Sequence, residues 1–228
     1  MDQKPRLHPL FVRWLDRALI AAEGGPAGAA LPLNAASGVS LGRFQLDLAQ
    51  QAGLRGELAR FARSCLIPGD IDGLFAKRVA AMTPSERERA RRLVDRLLAE
   101  PAGAAWLARF ERAMLVRVGL GVRRLIAGVG QAAVPFAASL RGQVELGCHL
   151  HQFGTGRTER LVTFLAGAPV TFELADGTAR QVGFRGALDV AQFREFRRAT
   201  RWGRENPRAN ESRHARIDYA LRAAPAWA

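Results

Sequence analysis

The chain is poor in several things, and each scarcity excludes something. It has two cysteines in 228 residues, Cys65 and Cys148, far apart in sequence. They form neither a disulfide framework nor a CxxC pair, so the sequence predicts two thiols, with a single bridge left open. Lysine is almost absent: of 34 basic residues only Lys4 and Lys77 are not arginine. Four histidines and no HExxH or CxxC spacing leave little with which to hold a metal. Cys148 and His151 stand one helical turn apart, but no second ligand pair accompanies them, and neither a metal nor a cofactor is expected. A Cys–His hydrolase is disfavoured by the same shortage. No uninterrupted apolar run is long enough to cross a bilayer, because the best window, residues 114–140, carries Arg117, Arg123 and Arg124. The opening MDQKPRLHPL is polar, which predicts no secretory signal. Gly119-x-Gly121 and Gly24-Gly25 lack the rest of a phosphate loop.

What is present is an ordinary globular composition, 48% hydrophobic and 24% charged, with a formal net charge of +13. Such a charge comes either from an Arg-rich composition or from an anionic partner: nucleic acid, membrane surface or cell wall. The densest basic stretch, residues 194–222, has nine arginines against four acids. Few aromatics interleave it, and Glu211 offers intrahelical pairing, so nucleic acid is not the favoured partner.

Hydrophobic periodicity predicts a mainly α chain with small β elements. Phe11, Trp14, Leu15, Ala18, Leu19 and Ala22 share one face of a first helix that ends at Glu23 before Gly24-Gly25-Pro26. Residues 27–37 read as a loop of small residues. Residues 38–48 alternate enough for a short strand or hairpin, with Gly38 and Gly42 as turn sites. Pro68-Gly69 marks a break. Thr83-Pro84-Ser85-Glu86 is a helix start with cap, proline and capping glutamate in place. Trp106, Phe110, Met114, Val118 and Val122 recur every four residues and predict a long buried central helix over 104–129. Further helices are expected over 132–151, 157–165, 190–202 and 211–223. Val170-Thr-Phe-Glu-Leu and Ala179-Arg-Gln-Val around Asp176-Gly177 predict a β-hairpin inserted between helices. No repeat or linker divides the chain, which reads as one domain: a small β lobe about 24–52 and a helical lobe about 53–228.

The stretch with most chemical content is residues 23–51. A carboxylate at a helix end, Glu23, is followed after a loop by a strand-like run ending in a second carboxylate, Asp47. Two acids placed on neighbouring elements are how a glycosidase site is made. The segment Ser37-Gly38-Val39-Ser40-Leu41-Gly42, with Asp47-Leu48 and Gln50, resembles the SGVTIGxGFDLGQ signature of pesticin-like, phage-type muramidases of the lysozyme-like superfamily. Gly42-Arg43-Phe44-Gln45 is similar to the GLMQ segment of lytic transglycosylases. Weaker likenesses follow in Gln152-Phe153-Gly154 and in Trp202-Gly203-Arg204, Pro207-Arg208 and Arg213.

The resemblance implies a lysozyme-like fold and cleavage of the MurNAc–GlcNAc β-1,4 bond of peptidoglycan. It makes Glu23 the general acid, Asp47 the second carboxylate, Ser40 the side chain that helps hold the attacking water, and Gln45 and Gly42 part of the substrate-binding surface. Asp47 lies one residue later than the muramidase pattern, and a one-residue shift on a strand turns a side chain to the other face. The alternative within the class is therefore a lytic transglycosylase that uses Glu23 alone. The resemblance also implies glycan strands and an anionic envelope surface as partners, with an immunity protein or a secretion machine beside them. It implies synthesis in the cytoplasm without a signal and action in the periplasm or wall after phage-type release or delivery. Two rivals stand apart: an Arg-rich helical nucleic-acid-binding protein, and a lysozyme-like adaptor without catalysis.

Overall fold

The computed structural model describes residues 4–23, 29–30, 37–65, 69–156 and 158–222. The glycine–proline run after Glu23, most of the small-residue loop and Pro68 lie outside them. The described chain is mainly helical, with two small antiparallel sheets, as the hydrophobic pattern predicts. It divides into two compact units, one made of residues 1–22 and 114–228, the other of residues 23–113.

The first unit opens with α1 (Phe11–Glu23), whose predicted apolar face is the buried one. It packs on α7 (Leu140–Phe153) where Gly147 removes a side chain: a Cβ there would meet Leu15 Cδ1 at 2.7 Å and Phe11 Cζ at 3.2 Å. Helix α7 is the true centre of this unit, buried at Leu140 and on every side from Gly142 to Leu150. The helix predicted as central, α5 (Pro101–Ile126), is half solvated instead. Leu115, Val118, Val122, Leu125 and Ile126 are buried, while Arg112, Arg117, Arg123 and Arg124 take the other face. Its stripe is the amphipathic kind, with arginines filling the positions between apolar ones.

The helix expected over 132–151 is interrupted. A short 3-10 turn and α6 (Val134–Ala138) end at Ser139, whose hydroxyl accepts from Gly142 N and so starts α7 afresh. Helix α8 (Glu159–Leu165) leads into the hairpin β4 (Val170–Glu173) and β5 (Ala179–Val182), paired from Val170↔Val182 to Glu173↔Ala179. Gly177 at φ 80° and Asp176 accepting from Thr178 N close its turn. Val170, Phe172 and Val182 face inward, and Phe172 meets Phe196 of α9 (Val190–Ala199) edge to face at 5.6 Å. Helices α10 (Arg201–Glu205) and α11 (Pro207–Leu221) complete the unit.

In the second unit, strands β1 (Ala29–Ala30), β2 (Ser40–Leu41) and β3 (Leu46–Asp47) form an antiparallel sheet in sequence order. Helices α2 (Ala52–Ser64), α3 (Ile71–Ala76) and α4 (Pro84–Ala99) follow. The predicted capping box is present: Thr83 Oγ1 accepts from Glu86 N, and Glu86 accepts from Thr83 N. The start of α5 continues from α4 after Glu100, and Trp106 stacks on Phe61 of α2 at 5.7 Å.

Candidate functional site

The sequence-predicted site residues all belong to the second unit. Glu23 is the last residue of α1, half-buried and engaged with a partner. The chain reaches β1 from it through residues that lie outside the described part. Ser40 and Asp47 are direct cross-strand partners in the β2–β3 ladder. Opposed residues of an antiparallel pair project to the same face, so the serine and the second carboxylate stand side by side. Ser40 is buried and Asp47 half-buried.

The Asp47 carboxylate is already at work within its own hairpin. Its Oδ1 accepts from Gly38 N at 3.1 Å and from Ala49 N at 2.9 Å, and its Oδ2 accepts from Gln50 Nε2 at 2.9 Å. Gly38 is obligatory, because a Cβ would come within 2.6 Å of Asp47 Oδ1 and 2.4 Å of Ala49 Cβ. The residue that the muramidase pattern makes a second catalytic acid thus serves as a clamp for the strand ends.

Gly42 and Gln45 bound the loop between β2 and β3. Gly42 sits at φ 73° and Gln45 at φ 49°, both left-handed, and Gln45 N and Nε2 each donate to Gly42 O. This conformation turns Phe44 fully inward and leaves Gln45 half-buried.

A residue the sequence reading passed over holds this loop in place. Glu111 of α5 is 3% exposed; its Oε1 accepts from Arg43 N at 2.8 Å and its Oε2 from Arg43 Nε at 2.9 Å. A Cβ on Gly42 would lie 2.5 Å from Glu111 Oε1, so only glycine lets the carboxylate reach the next amide. The signal was available. Glu111 lies four residues after Leu107 and four before Leu115, a carboxylate on the apolar stripe of an amphipathic helix, where a charge persists only with a partner. Beside the pair lies a cavity of about 330 Å³ lined by Arg43, Leu98, Ala104, Leu107, Ala108 and Glu111.

No family model, curated protein or solved structure matches the chain. Among the described residues no group of three His, Cys, Asp or Glu could hold a metal ion, and no helix is long and apolar enough to cross a membrane.

The arginine-rich stretch is largely turned to internal bonding. In the first unit the fully buried Glu145 of α7 accepts from Arg194 Nε at 3.0 Å, and Arg197 approaches its other oxygen at 3.5 Å. Arg194 also takes Asp218, Arg198 takes Glu211 at 2.7 Å, and Arg201 takes Glu205 at 2.7 Å. Burial alone pulls the Arg194 guanidinium down, but the hydrogen bonds of Asp218 and the charge of Glu145 outweigh it and raise its pKa. Burial wins at Arg197, which is lowered despite Glu145. Arg194 and Arg197 are thereby withdrawn from the surface, whereas Arg198 and Arg201 keep their charge at the surface in pairs with acids.

Proposed function

We propose that the chain cleaves the β-1,4 glycosidic bond between MurNAc and GlcNAc in peptidoglycan, with Glu23 as the proton donor. The observation that carries this reading is the order of parts: a helix ending in a glutamate, then a small antiparallel sheet in which Ser40 faces Asp47 across adjacent strands. The Gly42-Arg43-Phe44-Gln45 loop of that sheet is pinned by Glu111, giving a rigid support for a polymeric substrate. In this reading a lysozyme-like fold underlies the mainly helical chain. Glu23 protonates the leaving oxygen, and Gln45 and the Gly42 backbone contact the sugar strand.

A second reading within the class draws on a specific observation. Asp47 spends Oδ1 on two backbone amides and Oδ2 on Gln50. That commitment favours a lytic transglycosylase, in which Glu23 serves first as acid and then as base and the 6-hydroxyl of the MurNAc residue displaces the leaving group. The paired state of Arg194, Arg197, Arg198 and Arg201 weighs against the nucleic-acid alternative.

The test is mass spectrometry of fragments released from purified peptidoglycan by the wild type and by Asp47→Asn. Reducing MurNAc ends that fall sharply in the variant identify a hydrolase using both acids. Anhydro-MurNAc ends produced by both proteins identify the transglycosylase. No soluble fragment from folded wild type refutes both.

A further inference from the structure

The first unit contains a second cavity, away from any residue assigned above, and its walls are chemically divided. Its volume is about 220 Å³, the space of roughly seven waters at ~30 Å³ each. One side is made of rings: Phe153 of α7, Phe172 of β4, Phe196 of α9 and the imidazole of His149. Phe172, Phe196 and His149 are 3%, 2% and 5% exposed, so these groups form the inner wall of the cavity. The other side carries two exposed guanidinium groups, Arg160 and Arg201.

His149 separates this cavity from ordinary loose packing. Its ring lies 4.5 Å from Phe153 and 5.8 Å from Phe196, and its Nδ1 is buried with no hydrogen-bond partner. A buried polar atom without a partner is costly unless something supplies one. Burial, reinforced by the nearby charge of Arg197, lowers its pKa to about 3. The ring is therefore neutral at physiological pH and offers one N–H and one lone pair. Arg160 is held with its guanidinium 5.3 Å from the centre of the Phe172 ring and makes no ion pair among the described residues. Arg201 shares its charge with Glu205. The net positive charge at the cavity thus comes chiefly from Arg160.

We propose that this cavity binds a small aromatic carboxylate, its ring among Phe153, Phe172 and Phe196 and its carboxylate on Arg160. Aromatic walls favour a flat ring by offset or edge contacts. A guanidinium fork matches a carboxylate. The neutral imidazole can bond a ring N–H or heteroatom that reaches the inner wall. The volume is of the size of a one- or two-ring acid. This site is independent of glycan cleavage.

Indole-3-acetate is the probe. Titration by calorimetry and by ¹H–¹⁵N NMR should give saturable one-to-one binding, with shifts gathered on residues 149, 153, 172 and 196. Indole, which lacks the charge, and hexanoate, which lacks the ring, should each bind at least about tenfold more weakly. Arg160→Gln, an exposed change that leaves the thermal melt unaltered, should weaken indole-3-acetate by about tenfold, as loss of a charge-assisted hydrogen bond implies. The proposal is overturned by equal binding of indole or hexanoate, by an unaffected Arg160→Gln, by shifts spread over the arginine surface, or by no saturable binding at millimolar probe.

Discussion

Replacing Glu111 by alanine tests whether α5 really holds the β2–β3 loop. The wild-type carboxylate is 3% exposed and accepts from Arg43 N and Arg43 Nε. Its removal leaves a backbone N–H without its acceptor, which costs about 1–3 kcal/mol. The lost contact to Nε costs less, about 0–1 kcal/mol, because the Arg43 side chain is 40% exposed and water can take its place. Loss of the buried methylene adds roughly 0.8 kcal/mol. The sum is about 2–5 kcal/mol for Glu111→Ala. Glu111→Gln, which keeps an acceptor for the amide, should cost about 1 kcal/mol. Two assays read this: the urea midpoint followed by tryptophan fluorescence, to which Trp106, stacked on Phe61, contributes, and hydrogen exchange at the Arg43 amide. Exchange there should quicken by at least about tenfold in Glu111→Ala. An Arg43 amide as protected as in the wild type, with an unchanged midpoint, would refute the anchoring argument.

Three further expectations follow from the same geometry. Gly42→Ala should destabilise by at least about 1 kcal/mol, since an L-residue at φ 73° is strained and its Cβ would crowd Glu111; a wild-type melting temperature would contradict this. Thr83→Ala, which removes the cap of α4, should cost about 1 kcal/mol by urea unfolding, whereas Thr83→Ser should cost less. His149 carries a pKa lowered to about 3 by burial, against an unfolded value near 6.5. The unfolded chain therefore binds a proton that the folded chain refuses between those pH values. The resulting stability is whole above about pH 6.5 and lost as pH falls toward 3, at about 1.4 kcal/mol per pH unit. His149→Phe should reduce the slope in urea titrations at pH 7, 6 and 5, leaving the share of His214, whose pKa burial also lowers to about 3; an unchanged slope would contradict the assignment to His149.

Elements with strong local grammar were legible in the sequence. The α4 start has its cap, proline and glutamate at fixed offsets, and the β4–β5 hairpin has Asp176-Gly177 at its turn. The break at Ser139 escapes the pattern, because apolar helical spacing continues across residues 132–151 and the serine hydroxyl, capping Gly142 N, marks the division. The centre was misplaced for a related reason. Spacing finds an apolar stripe on α5 but cannot weigh Gly142 and Gly147, whose lack of side chains lets neighbours close on α7 from every side. Within the candidate site, Ser40 and Asp47 were predicted as site residues, and the ladder makes them cross-strand partners. The attachment of Asp47 to Gly38 and Ala49, and of Glu111 to Arg43, depends on backbone amides that no side-chain motif records.

The central claim is that Glu23 is the proton donor of a peptidoglycan-cleaving enzyme. Release of soluble muropeptides from purified, dye-labelled sacculi by the wild type and by Glu23→Gln, matched for thermal stability, tests it most directly. The account predicts steady release by the wild type and a fall of at least about 10²-fold in the variant, as loss of a general acid requires. Equal release by both proteins, or none by a folded wild type, would contradict it.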